Sequence, residues 1–124
     1  MLKDKVILLV DDEASLLKAT MAGLVSRGYT VEAAEGAEAA LRVIHDVNPD
    51  LVVTDLVMPG TNGFELYQRV KAEYQNPNIP FVFLTAVDDF HAKKFGKEIG
   101  AAAYITKPVD LDELEDIIKE KLGR

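Results

Sequence analysis

The amino-acid sequence predicts a doubly wound α/β domain of three layers, a (βα)5 chain whose five-stranded parallel sheet lies between two layers of helices. Three observations predict it. Short, non-alternating apolar runs such as Val6 to Val10 and Phe81 to Thr85 have the pattern of strands covered on both faces. Stretches of helical periodicity follow each run, so strand and helix alternate along the chain, and right-handed crossovers between parallel strands are the expected outcome. The 124 residues, 48% of them hydrophobic, suit one compact core that buries roughly two-thirds of its unfolded surface.

The elements follow in order. Val6-Ile7-Leu8-Leu9-Val10 is the first strand and ends at Asp11-Asp12-Glu13. From Ala14 to about Arg27, Leu17, Met21 and Leu24 recur at helical spacing, and Gly28 supplies the stop. Tyr29 to Ala34 forms the second strand, and Gly36 opens a helix with Ala37, Ala40, Leu41 and Ile44 inward until Asn48-Pro49 ends it. Leu51 to Asp55 is the third strand, and Asn62-Gly63 leads into a helix packed through Leu66 and Val70. Residues 76 to 80 make a loop by composition. Phe81 to Thr85 is the fourth strand, followed by a less regular helix marked by Ala92, Phe95, Gly96 and Ile99. Ala101 to Ile105 is the fifth strand, and Asp110 caps a last helix marked by Leu111, Leu114, Ile118 and Leu122. In such domains the usual strand order is 2-1-3-4-5, which sets strands 1 and 3 side by side with 4 next to 3.

Composition excludes several classes. A formal net charge of -7 argues against direct nucleic-acid binding, which calls for a clustered positive face. With no cysteine, neither a disulfide framework nor a thiolate metal site can form. The five apolar residues after Lys5 are too few for a signal-peptide core or a membrane span, so a cytoplasmic protein without membrane insertion is expected. No linker or repeat is visible, and residues 1 to 124 are expected to form a single domain with no effector domain.

The predicted strand order brings chemistry to one edge. Asp11 and Asp12 leave the first strand, Asp55 the third, Thr85 the fourth and Lys107 the fifth, all at the carboxyl ends where ligands bind in open parallel sheets. Taken singly, Asp11-Asp12 is equally a turn pair, Thr85 an ordinary strand residue and Lys107 a surface lysine. Jointly, three carboxylates that repel one another suit a hard divalent cation with oxygen ligands, and Mg²⁺ fits a shallow site of few carboxylates better than Ca²⁺. A cation, a hydroxyl and an ammonium around Asp55 answer the needs of a transferring phosphoryl group, with Asp55 as nucleophile and an aspartyl phosphate as product. His45 and His91 have no metal-ligating neighbour and receive no role.

These residues resemble those of a response-regulator receiver domain of two-component signal transduction, chemotaxis-regulator-like and flavodoxin-like in topology. The motifs are Val10-Asp11-Asp12-Glu13, Asp55 followed by Met58-Pro59-Gly60, Thr85-Ala86 and Lys107-Pro108. They stand in order across essentially the whole chain. The resemblance implies that Asp55 is the phosphoacceptor for a sensor histidine kinase or phosphotransfer protein in a phosphorelay. It implies that Asp12 ligates Mg²⁺ directly, with Mn²⁺ able to substitute, that Asp11 acts through water, and that the Val57 backbone carbonyl completes the protein ligands. Thr85 and Lys107 would contact the phosphoryl group, and the Lys107–Pro108 peptide would be cis. Tyr104 would be an aromatic switch coupled to Thr85, changing the surface of the fourth helix, fifth strand and fifth helix toward an unknown output partner or linked domain. Val57 and Val87, both apolar, would flank the phosphoryl group without orienting an attacking water, which lengthens its lifetime. The protein would be a monomer or weak dimer.

The expected activity is a switch that catalyses its own phosphotransfer and autodephosphorylation, short of a conventional enzyme. An aspartyl-nucleophile phosphatase or phosphotransferase acting on small metabolites is an alternative, disfavoured because Val57 stands where such enzymes carry an acid/base carboxylate. A binding-only pseudo-receiver is another, disfavoured because every site residue is retained. A flavin carrier on the same fold would want a phosphate-cradling first loop in place of an acidic one.

Overall fold

The computed structural model describes residues 5–58, 60–85 and 103–123. The helix expected around Ala92 to Ile99 lies outside them. β1 (Val6–Val10), β2 (Thr30–Ala34), β3 (Leu51–Asp55), β4 (Phe81–Thr85) and β5 (Ala103–Thr106) form one sheet in the order β2-β1-β3-β4-β5. Every pairing is parallel. The described helices are α1 (Ala14–Ser26), α2 (Ala37–Val47), α3 (Gly63–Glu73) and α4 (Leu111–Leu122).

Period-two alternation along the strands divides the core into two layers. Leu8, Val10, Val52, Phe81 and Phe83 pack against Ala37, Ala40 and Ile44 of α2 and against Leu66, Tyr67 and Val70 of α3. Ile7, Leu9, Leu51, Val53, Val82 and Leu84 pack against Leu17 and Leu24 of α1 and Leu114 and Ile118 of α4. β3 and β4 are buried at every position, as continuous apolar runs require.

Two strand boundaries differ from the sequence pattern by a residue. Tyr29 belongs to the end of α1: its N–H donates to Leu24 O (3.2 Å) while that of Gly28, at φ +95°, donates to Val25 O (3.0 Å), a Schellman closure that leaves β2 to begin at Thr30. At the other edge β5 runs on to Thr106 because Thr106 still has a ladder partner, Thr85. The caps of α3 and α4 are side-chain carbonyl and carboxylate oxygens. Asn62 accepts from Glu65 N (2.9 Å), and Asp110 accepts from Asp112 N (2.8 Å) and Glu113 N (3.3 Å).

α1 and α4 are clasped together on one face of the sheet. A Cβ added to Gly23 would stand 2.5 Å from Leu111 Cδ1, so the glycine permits the close approach. Beyond it, Arg27 Nη1 pairs with Asp112 Oδ1 (2.8 Å) and Glu115 Oε1 (3.0 Å), and the Tyr29 hydroxyl donates to Glu115 Oε2 (3.0 Å).

Candidate functional site

The parallel ladders fix where the polar strand ends meet. Val10 pairs with Thr54 and Asp55 with Leu84, so Asp11, immediately after β1, and Asp55, last in β3, leave the same edge. Thr85 follows the partner of Asp55, and Lys107 follows the partner of Thr85, where its N–H donates to Thr85 O at 2.8 Å.

The side chains converge as their strand ends do. One carboxylate oxygen each from Asp11, Asp12 and Asp55 lies within 4.8 Å of the others. Asp11 and Asp55 are only 4% and 5% exposed, whereas Asp12 faces solvent. Asp11 Oδ1 accepts from Glu13 N (3.0 Å), which holds the acidic loop against the strand end. Lys107 Nζ lies 2.8 Å from Asp55 Oδ2 and 3.9 Å from Asp11 Oδ2. The Val57 side chain, two residues beyond Asp55, is 70% exposed. Thr85, the last residue of β4, is buried. Lys107–Pro108 is a cis peptide. Val87 lies outside the described residues.

Opposing fields act on the central pair. Burial pushes the Asp55 carboxyl above its usual range; the Lys107 bond and charge pull it down, the Asp11 charge pushes it up again, the Val57 N–H lowers it, and the net direction is upward. Burial lowers Lys107, but its bond to Asp55 and the charges of Asp55, Asp11 and Glu13 outweigh that and raise it. The 2.8 Å contact pairs the Lys107 ammonium with the Asp55 carboxylate. One ammonium still faces three carboxylates, an excess of negative charge that a hard cation would relieve. The donor set is all oxygen and open to water at Asp12, which fits Mg²⁺ and its retained waters.

Tyr104 lies away from the carboxylates, against the α3 side of the sheet. Its ring stacks on Phe83 with centroids 5.5 Å apart, and Phe83 in turn contacts Phe64 (5.2 Å) and Tyr67 (6.1 Å). The Tyr104 hydroxyl is buried and has no hydrogen-bond partner among the described residues. A groove of about 550 Å³ opens between Leu16, Ala19 and Thr20 of α1 and Pro108, Val109 and Leu111, with Asp11 and Lys107 in its lining. Sequence reasoning missed this groove, since its two walls are some ninety positions apart and nothing local links them.

The Response regulator receiver domain family matches residues 7–119. The chain is 41% identical over 120 residues to the phosphate regulon transcriptional regulatory protein PhoB of Pseudomonas aeruginosa, covering 97% of this chain and 52% of that protein. Among solved structures it superposes on a putative response regulator from Chloroflexus aurantiacus with a TM-score of 0.89 and 34% identity, covering 97% and 98% of the two chains. The chemotaxis protein CheY4 of Vibrio cholerae gives a TM-score of 0.88 at 29% identity, covering 95% and 98%.

The chain belongs to the response-regulator receiver family. Its place is therefore in phosphorylation-dependent two-component signalling. Receiver domains generally use Mg²⁺, and the acidic cluster of this receiver has the composition for it. The chain spans about half the length of the curated relatives it matches. Among the described residues, no helix is long and apolar enough to cross a membrane.

Proposed function

We propose that this receiver accepts a phosphoryl group on Asp55 from a phosphohistidine of a sensor histidine kinase or phosphotransfer protein, in a Mg²⁺-dependent reaction. The observation that carries the reading is the Lys107 ammonium 2.8 Å from Asp55 Oδ2, beside the clustered Asp11 and Asp12 carboxylates. An Asp55 carboxylate oxygen forms the new O–P bond as the P–N bond breaks, and the electron pair departs on the imidazole nitrogen. Lys107 stays cationic and balances the charge on the phosphoryl oxygens. Asp11, Asp12, Asp55 and the Val57 carbonyl would hold the cation. When bound, Mg²⁺ neutralises charge that develops on the phosphoryl oxygens. Thr85 supplies a hydroxyl from the adjacent strand end.

The switch would be read through Tyr104, β5 and α4, together with the helix expected around Ala92 to Ile99, to control a partner or a linked output domain. Because the relatives' names include transcriptional regulators, a transcriptional output is part of the proposal. Val57 exposes an apolar side chain beside the acceptor, which supports slow loss of the phosphoryl group, since no polar atom there orients a water.

Incubation with acetyl phosphate, with and without Mg²⁺, followed by intact-mass measurement, tests the acceptor. A Mg²⁺-dependent adduct on the wild type and none on Asp55→Asn is the expected result. No adduct on the wild type rejects the reading, and an adduct on the variant moves the acceptor elsewhere. A Val57→Asn, Val87→Glu double variant is expected to shorten the adduct lifetime; an unchanged or longer one would sink the proposed lifetime control.

A further inference from the structure

Four asparagines occur in the chain, and the residue after each decides its chemistry. Asn48 and Asn76 precede proline, whose nitrogen has no proton to lose, and Asn78 precedes the β-branched Ile79, which crowds an approach to the main-chain nitrogen. Asn62 precedes Gly63. A glycine nitrogen is flanked by no side chain, so Asn62–Gly63 is the pair at which a main-chain nitrogen reaches a side-chain amide most readily. The fold itself demands that glycine, because Gly63 packs against Asp55 O and Leu56 Cα where a side chain has no room.

Both groups that would react are engaged in the folded chain. Asn62 is the N-cap of α3, with φ −82° and ψ 176°, and its Oδ1 accepts from Glu65 N at 2.9 Å. Gly63 N–H donates to Leu56 O at 2.9 Å, and both of these residues are buried. Closing a five-membered ring through Asn62 Cγ and Gly63 N requires Cβ and that nitrogen to eclipse about the Cα–C bond. At ψ 176° they are staggered. The rotation that eclipses them draws Gly63 N off Leu56 O, and the side chain must turn toward it, off Glu65 N.

We propose that Asn62–Gly63 is a site of spontaneous covalent modification, deamidation through a succinimide, which the N-cap of α3 holds shut in the folded chain. Gly63 N, having given its proton to hydroxide, attacks Asn62 Cγ. The new N–C bond forms as the Cγ–Nδ2 bond breaks, and ammonia leaves with a proton taken from water. Water then adds to one of the two ring carbonyls. Opening at Cγ gives aspartate at position 62, and opening at the main-chain carbonyl gives isoaspartate, in which the chain runs through the side-chain carbons. Either product places a new carboxylate at the start of α3, beside the end of β3.

The test compares folded wild type at mildly alkaline pH with the same protein unfolded in guanidinium chloride, at matched pH, temperature and ionic strength. Peptide mapping locates the conversion, and methylation by an isoaspartate-specific carboxyl methyltransferase identifies the second product. Unfolded chain is expected to convert at position 62 about tenfold or more faster than folded chain, the scale of a cap and a buried hydrogen bond taken together. The rate should rise with pH. Asn62→Ser, which keeps a capping oxygen and has no amide to lose, should show no conversion there in either state. Equal rates at position 62 in folded and unfolded chain overturn the guarding role of the cap. No conversion there in the unfolded chain, or faster conversion at Asn48, Asn76 or Asn78, overturns the site, and neither result depends on the variant folding.

Discussion

Gly63 lies against the acceptor's own backbone: a Cβ added there would stand 2.6 Å from Asp55 O and 3.0 Å from Leu56 Cα. The first residue of α3 thus abuts the last residue of β3. Helix propensity alone would favour alanine over glycine by about 1 kcal/mol. Contact with backbone that cannot swing aside decides the sign the other way, and Gly63→Ala is expected to destabilise the fold by about 1–3 kcal/mol. Urea unfolding measures it; a stabilised variant would mean that α3 can retreat from β3 without cost.

The acidic cluster should make stability depend on divalent cation. Mg²⁺ at a hundred times its dissociation constant is expected to add about 2.7 kcal/mol. Asp12→Ala should remove most of that increment while changing stability little without Mg²⁺, because Asp12 is exposed. Thermal melts across a Mg²⁺ titration, with chelator as the reference, give the answer. An equal rise in melting temperature for both proteins would place the cation elsewhere.

Tyr104 offers an inversion of the usual result. Removing a buried, satisfied tyrosine hydroxyl costs about 1 kcal/mol, whereas an unpartnered one already carries its desolvation penalty. Tyr104→Phe keeps the ring on Phe83 and discards the unpartnered hydroxyl, so stability should hold or rise by up to about 1 kcal/mol. A loss larger than that, in urea unfolding, would refute the assignment.

Alkaline pH probes the clasp between α1 and α4. Burial, and then the hydrogen bond to Glu115, push the Tyr29 hydroxyl up to about 12 from its ordinary 10.0. Since the folded chain holds this proton more tightly than the unfolded one, the stabilisation is complete below pH 10 and is lost as pH rises toward about 12. Wild type should therefore lose about 1 kcal/mol more than Tyr29→Phe across that window, after discounting for solvent at the rim. Denaturant midpoints at pH 9 and pH 11 compare the two; parallel curves would exclude the effect.

Much of this was legible because burial on both faces leaves a plain signature. Leu51 to Asp55 and Phe81 to Thr85 have the boundaries their apolar runs suggest, and a parallel sheet with crossover helices then obliges Asp11, Asp55, Thr85 and Lys107 to share an edge. Contacts between side chains distant in sequence were not legible. Thr61 and Glu38 lie 23 positions apart, and the exposed helix positions 38 and 69 carry no pattern of their own. Gly23 reads as an unremarkable residue within a helical stretch until Leu111 is seen against it. Tyr29 has the composition of a strand residue and is claimed instead by the closure of α1. Val87 and the helix around Ala92 to Ile99 fall outside the described residues.

β3 is the middle strand of the sheet, hydrogen-bonded on both sides and buried throughout. Its amides have no local opening by which to meet solvent, so they should exchange with deuterium only when the whole domain unfolds. Asp55 therefore rides on the slowest-exchanging part of the molecule. A signal arriving there is written on a fixed reference, and whatever moves in response has to be the connections around it.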